Sequence, residues 1–304
     1  MSVRSTIKAI AEHGLVWSGA TWVGRRRMSD RVLVLAYHNV VPDDAPIVGD
    51  RQNHLRLSSF RAQLATIAET HDVVPLSETL TPARGRSRPR IAITFDDAYR
   101  GAVVHAVPEL ARHGFPATIF VAPAFLGGRS FWWDAFATAA SGLDPTLRAK
   151  ALDELRGEDE TVRAWARQAG LTAADVPSVQ CAASLDELQR AASQPGITLG
   201  SHTWSHPNLA RLDGRTLEAE LTKPRAWLRE HAPKASDWIA YPYGSFSPAV
   251  AKAAAAAGYA AGLAIDGGWF TQPATDRFAL PRVNIPTGMS LRGLELRAAG
   301  LLSQ

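Results

Sequence analysis

The apolar run "RIAITF" (90–95) ends in two adjacent carboxylates, Asp96 and Asp97. Like charges side by side repel, so such a pair either faces water or shares a cation. Two more polar clusters stand behind apolar runs: "SHTWSH" (201–206), which holds His202 and His206, and "YPYG" (241–244). Each alone is common at surface turns. Together they offer one carboxylate and two imidazoles, a facial ligand set for a catalytic divalent cation, with one aspartate left over for its water. Such a cation lowers the pKa of a bound water toward about 7 and polarises a carbonyl or phosphoryl oxygen. A carboxylate beside that water can take its proton, which contributes about 10²–10⁴-fold.

This chemistry needs elements that carry the three clusters to one place. "VLVLAYHNV" (32–40), "RIAITF", "PATIFVAPAFL", "GITLGSH", "DWIAYPYG" and "YAAGLAI" are short apolar runs that predict buried strands. Between them, "LSSFRAQLATIAETH" predicts a helix with Ser58 or Ser59 as N-cap. "AVVHAVPELARHG", "GRTLEAELTKPRAWLREH" and "SPAVAKAAAAAG" predict three more. Apolar strands alternating with helices imply a parallel sheet covered on both faces, open or closed into a barrel. Ligands of such sheets gather at the carboxyl ends of the strands, where all three clusters fall. Residues 129–195 break the alternation and, being charged and alanine-rich, predict a helical insertion. Residues 1–30 predict a helical extension ahead of a catalytic domain over 31–304.

Composition narrows the partners. A chain of 304 residues can bury about three quarters of its extended surface. Net charge is +4, and the only dense basic cluster is Arg25, Arg26 and Arg27, so no nucleic-acid partner is expected. The single cysteine, Cys181, permits no intrachain disulfide. In "GLVWSGATWVGRRR" the charge follows the apolar stretch, the reverse of a signal peptide. The stretch also falls short of the roughly 20 apolar residues of a spanning helix. A cytoplasmic or membrane-peripheral protein is the default expectation. This segment either packs on the domain or makes weak membrane-surface contact through Trp17, Trp22 and the arginines.

"TFDDAYRG", "SHTWSHPNL" and "YPYGSFSP" resemble the first three motifs of the polysaccharide deacetylases, the NodB-homology group or carbohydrate esterase family 4. "VLVLAYHNVVP" resembles the strand that opens many members, so the likeness runs from about residue 31 to 285, with the motifs in order. The resemblance implies a distorted (β/α) barrel of seven to eight strands and metal-dependent removal of acetyl groups from N-acetylated sugars. It implies Asp96 as general base and Asp97, His202 and His206 as ligands of a metal, usually zinc. It also implies the backbone N–H of Tyr243, after Pro242, as donor to the oxyanion.

The sequence departs from that family in two places. Its third motif often begins with an arginine that pairs with the base, and here Ala240 stands there. Arg282, in "LPRVNIP" at another predicted strand end, could supply the charge instead, or be a plain surface or core-edge arginine. The family's last motif carries a histidine near the C-terminus as general acid, yet no histidine follows His231. Some members look circularly rearranged, and His38, at the end of the first strand, is the candidate acid; the alternative is a buried histidine bonded to backbone. Asp266 in "IDGGW" weakly resembles the acidic fourth motif, where it would orient that histidine; a solvated turn aspartate is the alternative. Tyr99, Trp132, Trp133, Trp204, Tyr243 and Trp269 cluster near the predicted edges, and Trp204 and Tyr243 are the expected sugar-stacking residues. "FWWD" (131–134) is expected to shape the groove. The competing readings are an O-acetyl esterase or other amide hydrolase on carbohydrate, and a catalytically silent carbohydrate-binding module.

Overall fold

The computed structural model describes residues 12–82, 87–138, 142–232, 234–265, 267–274 and 276–302. Its frame is a parallel sheet of eight strands. In spatial order the main path runs β10 (Val283–Asn284), β1 (Val32–Tyr37), β5 (Arg90–Phe95), β6 (Ala117–Val121), β7 (Ile197–Ser201), β8 (Ala235–Ala240) and β9 (Ala261–Leu263). The short β4 (Asp72–Val73) adds to β5 at its start. Residues 280–285 join the two edges. Leu280 pairs with Leu263 of β9, and Val283 and Asn284 then pair with Leu35 and Ala36 of β1. The sheet is thereby curled into a distorted (β/α) barrel.

Strand periodicity sorts the core into two clusters. Val32 and Val34 of β1, Ala92 of β5, Phe120 of β6, Trp238 and Ala240 of β8 and Leu263 of β9 pack together inside the curl. The alternate residues, among them Leu33, Leu35, Ile91, Ile93, Ile119 and Leu199, pack outward beneath the helices. Both faces are buried, which is why the strands read as continuous apolar runs rather than alternating ones. The period of two also carries the inner face from Ala92 through Thr94 to Asp96, and from Val34 through Ala36 to His38.

Most predicted elements stand where expected, with three corrections. The first run breaks at His38 into β1 and a separate β2 (Asn39–Val41), which pairs with β3 (His54–Arg56) in a two-stranded sheet. The helix Leu57–Thr70 begins before Ser58 and Ser59, and neither is its N-cap; the carboxylate of Asp43 instead accepts the Ser58 N–H at 3.3 Å. "LPRVNIP" places Arg282 ahead of β10 rather than at its end. Between β6 and β7 the chain is helical, with helices Trp132–Ala135, Pro145–Asp153, Asp159–Gln168 and Leu185–Ala192.

Candidate active site

At the carboxyl ends of β1, β5, β7, β8 and β10 opens a cavity of about 640 Å³, walled by His38, Asp96, Asp97, His202, His206, Tyr243 and Asn284 among others. Three ligand-bearing atoms converge in it. His206 Nε2 lies 3.1 Å from His202 Nε2 and 3.1 Å from Asp97 Oδ1, and His202 Nε2 lies 3.6 Å from that oxygen. Zinc–ligand bonds of 2.0–2.1 Å in a tetrahedron separate ligand atoms by about 3.3 Å, so these edges match the requirement. Asp97 Oδ1 is buried and has no hydrogen-bond partner, as expected for an atom that needs a cation. The residues present fit a divalent metal.

Local structure aims each ligand. The Nδ1 of His202 lies 2.8 Å from the carbonyl oxygen of Ala240, a contact that places the proton on Nδ1 and the lone pair on Nε2. Burial lowers the His202 pKa to about 4, against the pull of Asp96, which keeps the ring neutral and able to ligate near pH 7. The turn between the histidines is tied by Glu220. Its carboxylate accepts the N–H groups of Trp204 and Ser205, both at 2.9 Å, and the Ser205 hydroxyl at 2.7 Å. Thr203 Oγ1 accepts the His206 N–H at 3.0 Å.

The backbone is strained where the chemistry would be. Among the described residues six non-glycine positions have positive φ, and Asp97 (70°), Ala98 (49°), Thr203 (66°), His206 (59°) and Tyr243 (60°) are five of them. Each such conformation costs on the order of 1–3 kcal/mol and persists only where the surroundings enforce it.

Asp96 occupies a different environment from its neighbour. Both its oxygens accept from Arg282, Nη1 at 2.7 Å and Nη2 at 2.8 Å, and the pair is fully buried. Burial alone would push the Asp96 carboxyl up, but Arg282 and His202 outweigh it and hold it well below the usual carboxylate range. Arg282 is itself fixed by Nε donating to the Ala264 carbonyl at 2.8 Å. It thus supplies the charge that Ala240 cannot, arriving from the segment just ahead of β10.

Of the other expected site residues, His38 and Tyr243 line the cavity. Trp204 does not line it, and its backbone N–H donates to Glu220. Trp269 is engaged elsewhere, donating to the Arg297 carbonyl at 3.0 Å. Asp266 lies outside the described residues. The ring of Tyr243 packs edge-on against His206, with centroids 4.6 Å apart, and Trp133 lies 4.8 Å from the same ring. Gly157, at φ +65°, accepts the Tyr243 hydroxyl at 3.4 Å, and a Cβ there would strike the tyrosine ring at 2.9 Å.

Sequence reasoning missed a buried network behind the wall. Trp133 Nε1 donates to the Tyr99 hydroxyl at 2.8 Å, which donates to Asp134 Oδ2 at 2.7 Å. Asp134 Oδ1 lies 3.1 Å from His54 Nε2 and accepts the Asp50 N–H at 3.0 Å. The network holds Trp133 against His206 and fixes the loop over Asp50, Arg51, Gln52 and Asn53, all of which line the cavity. The quoted "FWWD" and the clustered Tyr99 marked its location, but nothing marked His54 or Asp50.

Comparisons with known proteins fit this geometry. The family model described as polysaccharide deacetylase matches residues 83–262, more than half of the chain. Among solved structures, the Streptococcus pyogenes deacetylase PplD, in complex with acetate, is 18% identical with a TM-score of 0.61, over 88% of this chain and 98% of that one. IcaB from Ammonifex degensii is 18% identical with a TM-score of 0.60, over 89% and 97%. A de-N-acetylase from Aggregatibacter actinomycetemcomitans is 15% identical with a TM-score of 0.61, over 88% and 99%. Likeness at these identities concerns the fold. No curated protein sequence matches.

Proposed function

The chain belongs to the polysaccharide deacetylase family, hydrolases of carbon–nitrogen bonds that deacetylate carbohydrate, and from that premise we propose that it removes N-acetyl groups from an N-acetylhexosamine-containing glycan. In this reading Asp97, His202 and His206 hold a divalent metal, and a two-nitrogen, one-oxygen donor set suits zinc. The observation that carries it is the juxtaposition of two adjacent carboxylates with opposite commitments. Asp97 faces two imidazoles and Asp96 faces a guanidinium. That the solved neighbours include a de-N-acetylase supports the N-acetyl substrate.

When bound, the ion supplies Lewis acidity, making an adjacent water acidic enough to lose a proton near neutral pH and polarising the amide carbonyl. The chain does the rest. Asp96, kept ionised by Arg282, accepts the proton of the attacking water. The backbone N–H of Tyr243, set in its left-handed turn after Pro242, donates to the oxyanion of the tetrahedral intermediate. His38, beside Asp96 because β1 and β5 run in register with Tyr37 opposite Phe95, gives a proton to the departing amine. The rings of Tyr243 and Trp133 offer apolar surface to a sugar face.

The test is acetate release from an N-acetylglucosamine oligomer by chelator-treated protein, with and without zinc. Release is expected only with zinc, and Asp96→Asn should lower it by about 10²–10⁴-fold. Undiminished release in chelator, or by Asp96→Asn, would exclude this reading; release only from an O-acetylated substrate would replace it with an esterase.

A further inference from the structure

We propose that the N-terminal segment (residues 12–27) and the C-terminal segment together form a docking surface for a membrane bearing anionic headgroups. This goes beyond the deacetylation reading and does not depend on it. Nine large hydrophobic residues are exposed among the described residues, and seven fall in these two segments: Leu15, Trp17, Trp22 and Val23, with Leu291, Leu301 and Leu302. Trp17 is 79% and Trp22 55% exposed.

The two segments are one surface because they run side by side in the same direction along the flank of the barrel. The Ser290 hydroxyl donates to Glu12 at one end. Further along, the helix Ala20–Arg27 lies so close to the C-terminal segment that a Cβ at Gly24 would collide with the Ala299 carbonyl. At the other end Gly300 lies under Met28. The helix thus turns Thr21 and Gly24 inward and leaves Trp22 and Val23 outside. A face anchored this tightly has been fixed to the domain without being covered by it.

Charge selects the occupant. Arg26 and Arg27 are exposed on the same helix, and the Arg26 guanidinium sits 4.4 Å from the Trp22 ring centroid. Arg292 is exposed beside Leu291. Tryptophan and arginine together suit the headgroup level of a bilayer, where the ring has one apolar and one wet side. A second copy of the chain fits less well, because a two-fold contact would bring the arginines of both copies together. No helix among the described residues is long and apolar enough to cross a membrane, so the contact would be interfacial.

The experiment is co-sedimentation of the full chain with phosphatidylcholine vesicles, with or without phosphatidylglycerol. Sedimentation is expected only with phosphatidylglycerol, and salt should weaken it. Arg26→Gln with Arg27→Gln should lower the partition constant on the order of thirtyfold, and Trp17→Ser with Trp22→Ser should abolish binding. Both double variants should keep the thermal midpoint and the acetate release from a soluble oligomer. The proposal is overturned if the chain stays in the supernatant, or if the tryptophan variant sediments like the parent. It is overturned equally if the parent is a dimer that this variant dissociates.

Discussion

Arg282 grips both carboxylate oxygens of Asp96, at 2.7 and 2.8 Å, across 186 residues of sequence. The pair is buried, so removing one partner leaves an uncompensated charge. Arg282→Met should destabilise the protein by about 3–5 kcal/mol in urea unfolding. It should also leave burial free to raise the Asp96 pKa. In the parent that carboxyl is depressed, so its contribution to stability is complete above its unfolded value near about 4 and is lost only in stronger acid. In the variant the acid limb of kcat/KM should move up toward neutrality. An unmoved limb would mean that Asp96 does not owe its ionisation to Arg282.

A second pH effect lies away from the site. His71 Nε2 is 2.7 Å from the Ala298 carbonyl, and burial lowers its pKa to about 4, against that contact. The folded ring is neutral, so below about 6.5 the unfolded chain takes up a proton that the folded chain does not. Stability attributable to His71 should therefore be complete above about 6.5 and fall by about 3 kcal/mol as the pH drops to about 4. His71→Gln should flatten that part of the stability–pH curve; a curve parallel to the parent's would contradict the assignment.

His38 is proposed to protonate the leaving group, so its loss should depend on what departs. His38→Gln should lower kcat for an acetamide on the order of 10²-fold, yet barely affect an aryl acetate whose phenolate needs no proton. Equal losses on both substrates would assign His38 another role.

Asp134 sits at the junction of the network behind Trp133. Asp134→Asn replaces one acceptor with a donor facing other donors, and should cost about 1–3 kcal/mol of stability. Loosening of Trp133 from His206 should also lower kcat. Unchanged melting and turnover would show that the network is incidental.

The sequence made the architecture legible because its signals were local. Two-faced strands read as apolar runs, and "SPAVAKAAAAAG" carried its own cap in Ser247, which accepts the Val250 N–H. The metal-ligand candidates were legible because each cluster lies within a few residues of a strand end. What stayed hidden came from distant contacts. For Arg282, supplying the charge that serves Asp96 was one of two open readings, and nothing in the sequence placed it ahead of β10. Glu220, buttressing the histidine turn, sits on an ordinary amphipathic helix. Asp43, supporting the helix that starts at Leu57, precedes it by fourteen residues, beyond any capping motif. Trp204 misled because its place between two histidines says nothing about which way a left-handed turn carries it.

The ligand assignment is tested most directly by calorimetric titration of zinc into chelator-treated full-length protein. The parent and Asp96→Asn should each bind one equivalent, because the role proposed for Asp96 is to serve the water and not the ion, whereas Asp97→Asn should show no such site. A parent that takes up no zinc, or an Asp97→Asn variant that binds as the parent does, would contradict the account.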